Sequence, residues 1–300
     1  METEHLISIG DFYRDGIDTM LDHARQVDEG LYDKHALQGK ILATLFFEPS
    51  TRTRMSFEAA MARLGGTSLS VGSVEACSIA KGETLADTIR VVSGYADAIV
   101  IRHPKEGAAR LASEFATVPV INAGDGAGQH PSQTLLDLYT IRQSMPIDNI
   151  DVALVGDLRY GRTAHSLASA LSFYNARLHT ISPKGLELPA TLAAGLSDKG
   201  MEIIEHDDLR DVICDIDVLY VTRIQRERFP DSASYFNVAS NYRITPEILT
   251  GAKNHLIILH PLPRVDEIDS RVDDLPFARY FEQSRNGVPI RMAMLMRLMK

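Results

Sequence analysis

Alternation of strand-like and helix-like segments along the chain predicts an α/β protein: two doubly wound parallel-sheet domains with the active site in the cleft between them. Three observations carry this expectation. Short apolar runs at 41–47, 98–101, 118–122, 151–155, 218–221 and 257–260 are separated by stretches with helical spacing. The alternation stops at the polar stretch Ser144-Met145-Pro146-Ile147-Asp148-Asn149 and then resumes, which marks a domain joint. Polar clusters fall just after the apolar runs, where parallel α/β sheets bind their ligands.

Taken in order, Phe12, Ile17, Met20, Leu21, Ala24 and Val27 trace one face of an amphipathic helix. A buried strand at 41–47 precedes a helical run at 55–64 that Gly65-Gly66 closes. Strands at 67–71, 98–101 and 118–122 alternate with helices at 84–94, 108–115 and 132–143. The second series has strands at 151–155, 178–181, 202–205, 218–221 and 257–260, with a helix at 163–173. The last stretch places Met292, Leu295, Met296 and Met299 on one face of a helix, a packing stripe more than a cofactor site. The expected division is 1–143, completed by a carboxyl-terminal helix at 286–300, and 144–285.

The densest chemistry is Ser50-Thr51-Arg52-Thr53-Arg54, between the strand at 41–47 and the helix at 55–64. At a strand-to-helix corner, unpaired backbone N–H groups and the helix dipole favour an anion. Three hydroxyls and two guanidinium groups add donors to the same place, the chemistry of a phosphate site. Any one of these residues could equally be an ordinary N-cap or a surface helix residue; the grouping is what points to phosphate.

Composition narrows the setting. With 45% hydrophobic and 24% charged residues the chain has the make-up of an ordinary globular protein. No apolar run reaches membrane-spanning length, and the amino end, Met1-Glu2-Thr3-Glu4-His5, is unlike a secretory or transit segment. The expectation is a cytoplasmic protein with neither membrane nor nucleic-acid partner, the net charge of −9 arguing against the latter. Cys77 and Cys214 form no metal-ligand pattern, so no metal and no cofactor are expected.

Other strand ends carry Arg102-His103-Pro104, the Gly-rich 123–133 ending in His130-Pro131-Ser132-Gln133, Gly156-Asp157-Leu158-Arg159-Tyr160-Gly161-Arg162-Thr163, Thr222-Arg223-Ile224-Gln225 and Pro261-Leu262-Pro263. Gly156 and Gly161 lack dinucleotide-fingerprint spacing. His130 alone would read as a structural histidine. Together these segments put Arg52, Arg54, Arg102, Arg162 and Arg223 around one cleft, which suits substrates with several negative charges.

Ser50–Arg54, Lys81-Gly82-Glu83-Thr84, Arg102-His103-Pro104, His130–Gln133, Arg223-Ile224-Gln225 and His260-Pro261-Leu262-Pro263 together resemble the catalytic chains of aspartate carbamoyltransferases, nearly end to end. The resemblance implies transfer of the carbamoyl group of carbamoyl phosphate to the amino group of L-aspartate, an early step of de novo pyrimidine biosynthesis. It implies that 1–143 binds carbamoyl phosphate and 144–285 binds aspartate. Ser50, Thr51, Arg52 and Thr53 would hold the phosphate with Arg102. Thr53, Arg102 and His130 would donate to the carbonyl oxygen, and Gln133 would meet the carbamoyl nitrogen. Arg162 and Arg223 would grip the two carboxylates of aspartate with Thr163 and Gln225, and the carbonyls of Pro261 and Leu262 would orient the amine. Glu48 resembles the family's latch, which pairs with arginines matching Arg162 and Arg228. Lys81 lies in a loop that in the family reaches a neighbouring subunit's site, implying a homotrimer with shared sites. Where the family carries a loop serine this chain has Cys77, with Ser78 beside it; a thiol is the weaker donor, so either Ser78 substitutes or Lys81 carries the loop. The segment 103–110 resembles catalytic chains that assemble with zinc-binding regulatory chains. Two rivals stand beside this reading: an ornithine carbamoyltransferase, which has Cys where this chain has Pro261, and a catalytically silent subunit of the same fold.

Overall fold

A computed structural model of the chain describes residues 4–71, 82–224 and 240–299. Two compact units emerge: Met1–Tyr139 with Arg285–Lys300, and Thr140–Ser284.

The first unit begins with helix α1 (Arg14–Asp28), which buries Ile17, Met20, Leu21, Ala24 and Val27 as one stripe. Four parallel strands follow: β1 (Ile41–Phe46), β2 (Thr67–Ser70), β3 (Ala98–His103) and β4 (Val120–Asp125), in spatial order β2-β1-β3-β4. Helices α2 (Thr51–Arg63), α3 (Leu85–Ser93) and α4 (Ala108–Phe115) lie between them in sequence. Consecutive residues of β1 and β3 are buried, so both faces of these strands are covered and their sequences read as unbroken apolar runs.

Helix α5 (Pro131–Ser144) carries the chain across the unit boundary at Tyr139 and Thr140. The second unit holds five parallel strands: β5 (Asp151–Val155), β6 (Arg177–Ile181), β7 (Ile203–His206), β8 (Val218–Val221) and β9 (Ile257–Leu259), in order β7-β6-β5-β8-β9. Helices α6 (Arg162–Leu171) and α7 (Ala190–Ser197) follow β5 and β6. Helix α8 (Tyr280–Leu298) returns the chain to the first unit. Each sheet therefore winds outward in two directions from a switch point, between β1 and β3 and between β5 and β8. No described helix is long and apolar enough to cross a membrane.

Three local expectations are corrected. Helix α2 starts at Thr51, not Met55, so Thr51–Arg54 form its first turn. Strand β4 runs through Asp125, converting part of the expected Gly-rich loop to strand. On α8 it is Met294, with Met292 and Leu295, that is buried, while Met296 is half-buried. That end of α8 is packed on more than one stripe.

A buried cation braces the first unit. Arg291 on α8 is almost fully enclosed, and desolvation draws its pKa down to about 10 against the opposing pull of Asp137. Its guanidinium stacks over the Phe57 ring of α2, 4.9 Å from the centroid. Gly287 makes room: a Cβ there would lie 2.0 Å from Arg291 Nη1. The two helices that open at the polar clusters, α2 and α5, thus share one partner on α8.

Candidate active site

In the first unit, three adjacent strands β1, β3 and β4 deliver three groups of side chains at their carboxyl ends. Ser50 is the N-cap of α2, in extended conformation and making no side-chain cap bond. Its hydroxyl and the first-turn N–H groups of α2 are therefore directed to whatever the helix start faces. Thr51 and Arg52 are exposed and Thr53 is buried. Arg54 turns along the helix toward Glu58, Nε to Oε1 3.6 Å, and so sits apart from the remaining cluster.

At the end of β3, Arg102 is held from two sides. Its Nη2 donates to Glu48 Oε1 at 2.6 Å and its Nη1 to the carbonyl of Ala123 at 3.2 Å. Only 11% of its side chain is exposed, so the head group is set in place before any ligand arrives. The start of α5 supplies buried His130 and Gln133, with Ser132 Oγ 3.4 Å from His130 Nδ1. Gln133 Nε2 donates to Asp137 Oδ1 at 2.8 Å, which commits its amide nitrogen to the interior. Asp125 organises the loop between: it accepts the Gly107 N–H at 2.9 Å and the Gln129 N–H at 3.0 Å. Gly126 adopts φ 52°, and a Cβ on it would lie 2.6 Å from the Glu106 nitrogen, so only glycine allows this approach.

The second unit repeats the plan on β5, β8 and β9, again neighbours in their sheet. Arg162 and Thr163 open α6, half-buried. Asp157 fixes the preceding turn by accepting the Tyr160 N–H at 3.1 Å. Gly156, at φ 118°, lets this turn lie against the end of β8, where a Cβ would meet the Thr222 carbonyl at 2.3 Å. The next residue after Thr222 is the exposed Arg223. Just past β9 come half-buried Pro261 and Leu262. Lys81, with Cys77 and Ser78, and Gln225, with Arg228, lie outside the described residues. Among the described residues, no group of three or more His, Cys, Asp or Glu could hold a metal ion.

Each sheet thus brings polar groups to the carboxyl ends of three neighbouring strands: Ser50–Thr53, Arg102, His130 and Gln133 on one, Arg162, Arg223 and the Pro261–Leu262 segment on the other. Residues 4–143 match the family model of the aspartate/ornithine carbamoyltransferase carbamoyl-P binding domain, and residues 148–298 that of the Asp/Orn binding domain. The chain belongs to the aspartate/ornithine carbamoyltransferase family. It is 72% identical over 296 residues, 99% of each chain, to the aspartate carbamoyltransferase catalytic subunit of Methanoculleus marisnigri. It superposes on the catalytic subunit of M. jannaschii aspartate transcarbamoylase with TM-score 0.92 at 56% identity, covering 99% of this chain and 98% of that one. A Trypanosoma cruzi aspartate transcarbamoylase crystallised with carbamoyl phosphate and aspartate gives TM-score 0.91 at 41% identity, covering 98% of this chain and 96% of that one.

Two buried carboxylates that bind site side chains lie outside the motifs legible in the sequence. Asp137 lies one helical turn after Gln133, and Glu267 seven residues after His260, and both are buried. The signal available was an acid at i+4 from Gln133 on a helix whose neighbours are apolar.

Proposed function

We propose that this chain is a carbamoyl-group transferase that joins the carbamoyl group of carbamoyl phosphate to the amino group of L-aspartate, giving N-carbamoyl-L-aspartate and phosphate. The observation that carries the reading is that Arg162 and Arg223 follow adjacent strands, β5 and β8, at the same end of the second sheet. Two guanidinium groups suit an amine bearing two carboxylates, and they would repel an amine whose far end is an ammonium. That disfavours ornithine, as does Pro261 in the loop after β9.

The chemistry needs no covalent intermediate. Ser50, Thr51, Arg52 and Thr53 bind the phosphate at the start of α2, and Arg102 spans phosphate and carbonyl. The aspartate amine, uncharged, attacks the carbonyl carbon; a C–N bond forms and the carbonyl oxygen becomes an oxyanion. Thr53, Arg102 and His130 donate to it, an arrangement fixed beforehand and so effective in the transition state. Gln133 offers its amide oxygen to the carbamoyl N–H groups, because its nitrogen is already bound to Asp137. As the intermediate collapses, the C–O bond to phosphate breaks and the leaving phosphate takes the amine's proton. Arg162, Thr163, Arg223 and Gln225 hold the aspartate carboxylates, and the carbonyls of Pro261 and Leu262 aim the amine.

The same reading places the enzyme in the cytoplasm, at an early step of pyrimidine synthesis, as a homotrimer in which Lys81 completes a neighbour's site. Its relatives are named catalytic subunits, which supports a separate zinc-binding regulatory chain as partner. Refolding a mixture of Lys81→Ala and Arg52→Ala chains should restore activity in hybrid trimers; trimers without activity would place Lys81 in its own subunit's site or in none. The test of the reaction is direct: purified chain, carbamoyl phosphate and either L-aspartate or L-ornithine. Carbamoyl aspartate is the expected product. Citrulline, or no product, would overturn the reading in favour of the ornithine enzyme or a silent subunit.

A further inference from the structure

Resting on the proposed reaction, we infer that His260 and Glu267 act as a buried positioning pair, which holds the backbone after β9 so that the Pro261 and Leu262 carbonyls meet the incoming amine. Neither side chain reaches the substrate in the mechanism above, yet both are almost entirely enclosed, at 2% and 7% exposure. Enclosing two titratable groups is costly unless their bonds are complete.

The bonds form one chain. His260 Nε2 lies 2.8 Å from Glu267 Oε1, and the Leu262 N–H donates to His260 Nδ1 at 2.8 Å. A backbone N–H can only donate, so Nδ1 carries no proton and Nε2 carries it, facing the carboxylate. Glu267 uses its other oxygen to accept the N–H groups of Val265 at 2.9 Å and Asp266 at 3.0 Å. Burial pushes Glu267 toward the neutral form, but His260 and backbone amides, Val265's among them, outweigh it and hold the carboxyl below the usual carboxylate range. Behind the ring, the His260 N–H donates to buried Gln283 at 2.8 Å, and the Glu267 carbonyl accepts the Ile244 N–H at 2.8 Å.

The segment these bonds enclose is one that does not hold itself. Leu262 sits at φ 53°, the left-handed region that a branched aliphatic side chain disfavours. Its N–H bond to the ring two residues earlier is the restraint nearest to it, beside the bonds of Arg264 to Asp273 and Tyr280 further along the segment. Glu267 in turn fixes the ring's tautomer and tilt. An arginine clamp can bind aspartate without this pair, but the amine would then lack its aim.

Substitutions at His260 separate positioning from mere filling. Asparagine reproduces an acceptor where Nδ1 stands, closing the same turn on the Leu262 N–H while losing Glu267. Glutamine reproduces the Nε2 end and more of the volume but loses the turn. We expect His260→Asn to keep kcat and aspartate KM within about five-fold of wild type, a modest misplacement. His260→Gln and His260→Ala should lose kcat/KM for aspartate by on the order of 10²-fold, the scale of a displaced reacting group. Glu267→Gln, which cannot accept from both His260 and the two amides, should fall between. Carbamoyl phosphate affinity, titrated directly, should stay within about two-fold throughout, since that site belongs to the first unit. A Gln variant more active than Asn would overturn the inference, as would unchanged aspartate kinetics in every variant or a His260→Asn chain that fails to fold. If His260→Ala does not fold, the Asn–Gln contrast decides. Absence of carbamoyl aspartate with wild-type chain would instead overturn the reaction assignment, before any variant is compared.

Discussion

The two sheets solve one problem with different materials. In the first unit the proposed anion site is made largely of secondary structure: a helix start at Thr51, and Arg102 clamped between Glu48 and a strand carbonyl. In the second, Arg162 and Thr163 open a helix as well, but the other groups sit on loops past β8 and β9, and buried carboxylates brace two of the connecting loops from behind: Asp157 below the Tyr160 turn and Glu267 below Val265 and Asp266. A rigid element can present backbone N–H donors to a phosphate without help. A loop that must present carbonyls to an amine needs its own N–H groups bound elsewhere, and buried carboxylates do this.

The largest expected effect tests the rigid side. Arg52→Ala should lower kcat by on the order of 10²-fold or more, the scale of removing a preorganised transition-state donor, while thermal unfolding stays near wild type. A variant keeping half the wild-type turnover would break the phosphate assignment. On the loop side, Arg223→Ala should raise aspartate KM about ten- to hundred-fold, since a charge-assisted bond contributes about 1.5–3 kcal/mol. Its carbamoyl phosphate affinity should not change; steady-state kinetics and a binding titration separate the two.

Glu48 sharpens the contrast. Its carboxylate occupies Arg102, so a phosphate bound as proposed would compete with it. Glu48→Gln should tighten carbamoyl phosphate binding by up to about five-fold, the scale of a partly exposed ion pair. Aspartate affinity should fall if Glu48 also serves as a latch. Equal losses for both ligands in calorimetric titration would contradict this competition.

The smallest effect concerns acid stability of the second sheet. Asp151, at the amino end of β5, is pushed toward the neutral form by burial but held ionised by stronger bonds from Arg177 and His179. Its folded pKa is lowered from 3.8, so the stability it contributes is present above about pH 4 and is lost as pH falls through the folded value. Asp151→Asn should therefore lower stability at pH 6 and flatten its decline below pH 4. Parallel curves for variant and wild type, followed by circular dichroism, would rule this out.

Much of the architecture was legible because strands covered on both faces must be apolar at every position, as in Ile99-Val100-Ile101 and Val152-Ala153-Leu154. Boundaries were less so. Ser50 and the threonines after it favour caps and turns over helix interiors, which hid the start of α2 four residues early. The arginines and His130 could be found because they follow apolar runs. Asp125 and Glu267 could not, since a single acid at a strand end or in a loop usually faces water and only the closed fold encloses them, while Asp137 left one faint mark, its i+4 spacing from Gln133 between apolar neighbours. Arg291 was hidden for the same reason: its partner Phe57 lies on a helix over two hundred residues earlier.

In the proposed reaction the two sheets divide the labour, the first binding phosphate and the second the acceptor amine. Calorimetric titration of carbamoyl phosphate into wild-type, Arg52→Ala and Arg223→Ala chains tests it most directly. Wild-type affinity is expected for Arg223→Ala and a loss of at least about ten-fold for Arg52→Ala, one charge-assisted contact's worth. Equal weakening in both variants, or wild-type affinity in Arg52→Ala, would contradict it.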